Sequence, residues 1–461
     1  MVQYAPRNFG ERTNLVKRER QNAHWMTVVA ALSVLPLAAF ADVGAGAASD
    51  AGRIAAGWSR MSPEQRREHE RELVHALAEL ELQPPWIDTR MAGRKYRPEN
   101  LKFAMNAGVA ETPKGRLWAV WFGGEDNADA FMLGAKSDDG GRTWSAPQFV
   151  VDTHFPGNKV FGVTVKRSVL VGEIWCAPDG TLRLYVNQSL ESFDGRGSTW
   201  EFVCRDPNAD KPDWGRPRYI WHGLQHNKPT VATTGEWIMP LNLSIGHAGL
   251  FPELDALRGA GMLVSQDRGE TWQPRGFVRV KDSWECCENM IVERRDGSWM
   301  NFMRTDFGIM QCESRDRGIT WTKPAPMPGV RHPVSRFSIT RLASGIWLLV
   351  KNGRTVDSFD KQNERTILTA WLSADEGTTW TGGLMLDGRP RSKDYGACYP
   401  DVCQCRDGSI CATWDYDRRV SAEIGFARFT EDDVRAGRIV SPRSFLGVKI
   451  TAAVKEKGKK P

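Results

Sequence analysis

The segment Ser137-Asp138-Asp139-Gly140-Gly141-Arg142-Thr143-Trp144 decides how the chain is read. Its pattern, Ser-x-Asp-x-Gly-x-Thr-Trp, returns at Ser265 to Trp272, Ser314 to Trp321 and Ser373 to Trp380, and a degenerate copy ends in Thr199-Trp200. Every position has a turn-forming reason to be what it is. The Asp carboxylate and the Ser and Thr hydroxyls can bond backbone N–H groups, Gly tolerates positive φ, and Trp buries a large area between neighbouring sheets. The motif is therefore read as structural rather than catalytic.

A second repeat runs out of phase with the first. A turn glycine followed by an apolar or alternating strand occurs at Gly115, Gly180, Gly235, Gly297, Gly345 and Gly408, with spacings of 65, 55, 62, 48 and 63 residues. Asp179, Asp296 and Asp407 precede three of these glycines, which predicts two-residue Asp-Gly hairpins. Each interval can hold the four short strands of one propeller blade. The fold class expected is all-β, a six-bladed β-propeller of four-stranded antiparallel blades. The boundaries read as 1–41 signal peptide or anchor, 42–95 linker and amphipathic helix, 96–440 propeller, and 441–461 basic tail.

The eight-residue boxes resemble the Asp boxes of the sialidase superfamily, and the resemblance covers roughly Asn106 to Glu431. The last repeat lacks a box, as expected where one blade is closed by strands from both chain ends.

Equivalent positions of a propeller's inner strands converge on one mouth of its central channel. Nine residues before each turn glycine stand Asn106, Val171, His226, Glu288, Arg336 and Tyr399. Seven residues after it stand Phe122, Asn187, Asn242, Arg304, Asn352 and Asp415. Ten of these twelve are polar or carry a hydroxyl, on strands otherwise apolar or alternating, which predicts a ring of functional groups. Asn227, beside His226, is taken with it.

The resemblance implies roles for part of the ring. Tyr399 matches the family's nucleophilic tyrosine, although Pro400 follows where Ser is usual, and Glu288 matches the buried Glu that serves as its base. Arg304 and Arg365 match two arginines of the carboxylate-binding triad, while Glu125 or its neighbour Asp126 falls at the register of the general acid. The chemistry is coherent. Guanidiniums bind a carboxylate through forked hydrogen bonds, an anionic substrate disfavours a carboxylate nucleophile, and a phenol needs a base close by. The chain departs from the family at the first triad arginine, where Met105 and Asn106 stand. Arg94 or Arg97, in a preceding loop, would have to reach in, or the triad is incomplete and another acidic sugar such as a uronate is admitted.

Three function classes follow. One is an exo-acting glycoside hydrolase on an acidic sugar terminus. Another is a uronate-directed lyase in which His226, or His332 near Arg336, works with Tyr399. The last is a non-catalytic carbohydrate-binding propeller. The partner expected is an acidic glycan, with no cofactor and no metal, since no loop carries EF-hand spacing. The net charge of +6 is spread along the chain without a basic stripe, which gives no case for nucleic acid.

The ends and the cysteines complete the reading. Arg12, Lys17, Arg18 and Arg20 precede an apolar run from Trp25 to Phe40, with Ala39-Phe40-Ala41 as a cleavage site, so export is expected, or an uncleaved anchor. Ser62, Pro63 and Gln65 predict a capped helix with Leu73, Leu77 and Leu80 on one face. Nine cysteines include the cluster Cys398, Cys403, Cys405 and Cys411 and the pair Cys286-Cys287. They are read as small buried strand residues, with a disulfide inside the cluster as the other possibility.

Overall fold

The computed structural model describes residues 61–453 except 92, 155–157, 161–162, 191–195, 246–251, 284–285, 362–364 and 392–393. Residues 1–60, with the stretch expected to be a targeting segment, and the last eight residues lie outside the described part. Six antiparallel sheets follow one another along the chain. Their innermost strands are Met105–Glu111, Arg167–Cys176, Thr230–Val231, Cys286–Glu293, Ser338–Arg341 and Ala397–Gln404, in blades one to six. This is the expected six-bladed propeller.

All six turn glycines sit between the first and second strands of their blades, with φ between +82° and +87°. The turns are one residue longer than the Asp-Gly reading expects. Ala177 N donates to Thr181 O while Gly180 N donates to Ala177 O, and Arg294 and Cys405 repeat the pattern with Ser298 and Ser409. These are three-residue loops whose glycine takes the left-handed position. The preceding Asp accepts from the backbone two residues on, as Asp179 Oδ1 does from Thr181 N at 2.9 Å. The Asp is there for this bond rather than for a two-residue turn.

The four full copies of the eight-residue motif join third to fourth strands and share one bonding scheme. Asp139 Oδ1 accepts from Thr143 N (2.9 Å), Asp139 Oδ2 from Thr143 Oγ1 (2.6 Å), and Ser137 Oγ from Gly141 N (2.9 Å). Asp267, Asp316 and Asp375 repeat it. The degenerate copy does not belong to the set, because Thr199-Trp200 lies within a strand, Ser198–Cys204.

Closure differs from the expected sharing of one blade between the two chain ends. Phe445–Thr451, assigned to the tail by sequence, pairs with Glu423–Phe429 and completes blade six from its own segment. Trp86–Asp88 adds a fifth, outermost strand to blade one by pairing with Val150–Asp152. The helix Pro63–Glu81 has its capping box, with Ser62 and Gln65 each accepting from the other's backbone N–H. Its Leu73 and Leu77 pack on Val160, Val165 and Leu190 at the edge of blade two.

Asparagines at the predicted ring positions stitch blade to blade instead of facing the channel. Asn352 Nδ2 donates to Thr366 O (3.2 Å) in its own blade and to Ala397 O (2.8 Å) at the start of the next. Asn187 bonds Gly223 O and Gln225 N in the same way. Replacing fully buried Asn352 by Ala removes the donor of two carbonyls. Asn352→Ala is expected to lower stability by about 2–4 kcal/mol, read as a lower urea midpoint at unchanged m-value; no change in midpoint would refute the stitching role.

Candidate active site at the channel mouth

Four inner strands break register near their first residues, between Asn106 and Gly108, Val169 and Gly172, Cys287 and Met290, and Cys398 and Asp401. In the last two the extra residue is Glu288 (φ +44°) or Tyr399 (φ +54°), both in the left-handed region. A bulge re-aims the side chain it carries, and a non-glycine residue held there is strained. Here the two bulges turn a carboxylate and a phenol toward one another across the channel.

Arg304, on the second strand of blade four, bridges them. Its Nη1 donates to Glu288 Oε1 at 2.6 Å and to the Tyr399 hydroxyl at 2.9 Å. The Arg365 guanidinium lies 5.5 Å from the Tyr399 ring centre and 4.2 Å from that of Tyr395, and its Nη2 donates to Val334 O. Tyr399 and Arg365 are half-buried, so the cluster is open to solvent on one side. Glu288, Arg304, Arg365 and Tyr399 are thus brought together from blades four, five and six.

Electrostatics set these groups apart. Burial pushes the Glu288 carboxyl up, but the Arg304 charge overrides it and the carboxyl falls to about 2. Burial raises the Tyr399 phenol to about 12, against the pull of Arg304, Arg365 and Arg418. His226, with Nδ1 3.9 Å from Glu288 Oε1, is lowered to about 4 by burial.

Other expected site residues take different places. Asn106 and Asp415 are at the site but bind backbone: Asn106 Nδ2 donates to Tyr399 O at 2.8 Å, and Asp415 Oδ2 accepts from Asn106 N at 3.0 Å. Arg336 and Asn227, expected to bind substrate, face the propeller axis with their polar atoms spent. Arg336 donates to Asn227 Oδ1 (2.9 Å), Ala107 O (2.8 Å) and Glu173 Oε2 (3.1 Å), and Asn227 Nδ2 to Glu288 O and Asn289 O. The cause is Glu173, a buried carboxylate that needs a cation. Gly108 leaves room for it, since a Cβ there would stand 1.6 Å from Glu173 Oε1. Burial and facing Asp401 push the Glu173 carboxyl up to about 8, opposed by Lys228 and Arg336.

Neither loop arginine supplies the absent triad member. The Arg94–Tyr96 turn is fastened through Lys95 and Tyr96 to Asp152 at the outer edge of blade one, and Arg94 and Arg97 are exposed there. A third guanidinium beside the phenol, in no position to bind a ligand, is that of Arg418, 4.0 Å from the Tyr399 ring centre. Sequence reasoning missed it because Arg418 follows the strand Ile410–Tyr416 in a loop outside the repeat register. Its only signal was the three-residue spacing from Asp415.

The general-acid candidates stand on the loop after Leu117–Gly123. Glu125 pairs with Arg419 at 2.6 Å, while the Asp126 carboxylate forms no ion pair among the described residues. His332 Nε2 donates to Ser335 O at 3.1 Å, and the ring packs edge-on against Phe337. Cys176, Cys204, Cys398, Cys403, Cys405 and Cys411 are free thiols; Cys403 opposes Cys411 across the first hairpin of blade six, and Cys405 Sγ is 3.2 Å from Cys411 Sγ. Among the described residues no group of three or more His, Cys, Asp or Glu could hold a metal ion.

The architecture is that of the sialidases. Similar solved structures include a leech intramolecular trans-sialidase complexed with 2,7-anhydro-Neu5Ac, 12% identical over 73% of this chain and 69% of that one, with a TM-score of 0.54. An intramolecular trans-sialidase from Ruminococcus gnavus in complex with oseltamivir carboxylate is 14% identical over 76% and 98%, at 0.55. The Hadza microbial sialidase Hz136 is 18% identical over 74% and 68%, at 0.54. The chain belongs to the BNR repeat-like domain family, which matches residues 115–411. No curated protein matches it.

Both His226 and His332, lowered to about 4 and about 3 chiefly by burial, stay neutral in the fold at pH 7. Unfolded histidine titrates near 6.5, so below that pH the unfolded chain binds protons the folded chain refuses. Stability is expected to fall as pH drops from about 6.5 to about 5, by up to about 1.4 kcal/mol per pH unit for each ring. Urea midpoints that stay flat across this window would contradict neutral burial.

Proposed function

We propose that the protein is an exo-acting glycosidase of the sialidase type, acting on a sugar terminus that bears a carboxylate, with Tyr399 as nucleophile. The observation that carries this reading is a phenol set among three guanidiniums beside a buried carboxylate. Arg365 and Arg304 present N–H donors for a carboxylate. The Tyr399 oxygen attacks the anomeric carbon as the bond to the leaving oxygen breaks. Its proton passes to Glu288, and Asp126 protonates the leaving oxygen. Asp126 is preferred to Glu125 because Arg419 already engages Glu125. Water then displaces tyrosine: Asp126, now a carboxylate, takes a proton from the water as it attacks the anomeric carbon, the bond to Tyr399 breaks, and Glu288 returns the proton to the tyrosine oxygen.

The acidities restrict how the first step runs. With the phenol raised by burial and the carboxyl held low by Arg304 against its own burial, moving the proton before attack is strongly unfavourable. Proton transfer and carbon–oxygen bond formation are therefore concerted, and Arg304, bonded to both oxygens, carries the charge across. Action outside the cytoplasm, argued from the first 41 residues, is part of the same proposal.

The test uses α-linked sialosides and uronate-terminated oligosaccharides with products weighed by mass spectrometry. Hydrolysis adds the mass of one water. Tyr399→Phe and Glu288→Gln are each expected to lower kcat at least about 10³-fold with melting retained. A uronate product that lacks the added water and absorbs in the ultraviolet through a new double bond would favour the uronate lyase, and full activity in either variant would remove this mechanism. Absence of turnover with retained glycan binding would leave a binding propeller.

A further inference from the structure

Arg418 is the most deeply buried of the three guanidiniums around Tyr399, and it has no reach toward a ligand. It is 1% exposed, and Asp415, fully buried, accepts from its Nε at 2.9 Å and its Nη2 at 3.2 Å. Its carbonyl accepts from Ala104 N at 3.0 Å, which ties it to the start of blade one. Asp415 also accepts hydrogen bonds from the Cys398 thiol at 2.9 Å and from the Asn106 N–H, so the segment before Tyr399 is fixed to the same carboxylate. Arg365, by contrast, is half-buried at the solvent side. A guanidinium so placed can act on Tyr399 but not on a substrate.

We infer that Arg418 is a positioning residue for Tyr399: held by Asp415, it lies over the phenol ring, fixes the ring's orientation and favours the ionised phenol over the neutral one. A cation about 4 Å from a ring is attracted by its π face, and the attraction grows when the ring carries a negative charge. The ring needs such a hold because its backbone is strained at φ +54°. The charged groups facing the phenol are Arg304 and Glu288 from blade four, Arg365 from blade five and Arg418 from blade six; Asp415, Cys398 and Tyr395 contact Arg418, and His226 of blade three stands beside Glu288. Among these, Asp415 opposes Arg418 directly. Removing one or the other should therefore move Tyr399 in opposite directions.

The catalytic consequence rests on Tyr399 being the nucleophile, whereas the titration does not. The full chain is made with fluorinated tyrosine, whose more acidic phenol brings the titration to lower pH, and followed by fluorine NMR. Of the seven tyrosines, the Tyr399 resonance is the one lost in Tyr399→Phe. Arg418→Met is expected to raise the Tyr399 midpoint by about one pH unit or more, and Asp415→Asn to lower it. On a sialoside, Arg418→Met should reduce kcat at least about tenfold with KM changed less than about threefold, and Arg418→Lys should recover part of the loss. A midpoint unmoved by Arg418→Met, or unmoved or raised by Asp415→Asn when the former does not fold, overturns the inference. So does a raised KM at constant kcat, which would make Arg418 a substrate ligand. Opposite midpoint shifts in a protein that cleaves no sialoside would keep this role for Arg418 and discard the glycosidase.

Discussion

Every blade of the propeller ends in one buried cluster on the axis. Blade two contributes Glu173, blade three Lys228 and Asn227, blade five Arg336 and blade six Asp401. Blade one gives the Ala107 carbonyl and the Val109 N–H, and blade four the Glu288 and Asn289 carbonyls held by Asn227. Two cations face two carboxyl groups, of which Glu173 is the one pushed toward its neutral form by burial and Asp401. An ion group this deep is tolerated only because each member is paired and hydrogen-bonded; removal of one would leave an uncompensated charge at a cost of about 3–5 kcal/mol. The cluster fixes the separation of the inner strands, and with it the width of the mouth above.

The functional groups depend on that fixed width. Asn227 links the axis to the backbone of Glu288 itself, so the strained bulge carrying the carboxylate is tied to the ion cluster beneath it. Asp401, two residues after Tyr399, does the same on the opposite side. Left-handed backbone at Glu288 and Tyr399 costs about 1–3 kcal/mol each, and it persists only where the surroundings over-determine it. Rigid support below and strained presentation above belong to one construction.

The fold was legible because its signals are local. A glycine at φ near +85° and a Ser/Asp/Gly/Thr turn write themselves into the sequence at every repeat. The site was legible where the repeat register holds, which is why counting from Gly297 and Gly408 reached Glu288, Arg304, Tyr399 and Asp415. Counting could not say which way a side chain faces. Asn187 and Asn352 occupy ring positions yet bond the next blade, and Arg336 turns to the axis because Glu173, itself outside the counted positions, attracts it. Arg418 escaped because loops between blades follow no register. The closing strand Phe445–Thr451 escaped because its burial is partial and its composition is mixed, so alternation gave no sign of it.

Charge balance around Tyr399 bears on why a phenol stands there. Arg304, Arg365 and Arg418 bring three positive charges, Glu288 and Asp415 remove two, and neutral His226 adds none. One unit of positive charge remains unmatched beside the phenol. A carboxylate in that position would consume it, remain ionised in a pair with arginine, and repel an anionic ligand. In the proposed reaction the phenol stays neutral until its oxygen forms a bond, so the surplus charge would serve first an incoming anion and then the developing oxygen charge. An arrangement of this kind discriminates between resting and reacting states of one residue, which is the physical requirement for differential stabilisation at a nucleophile.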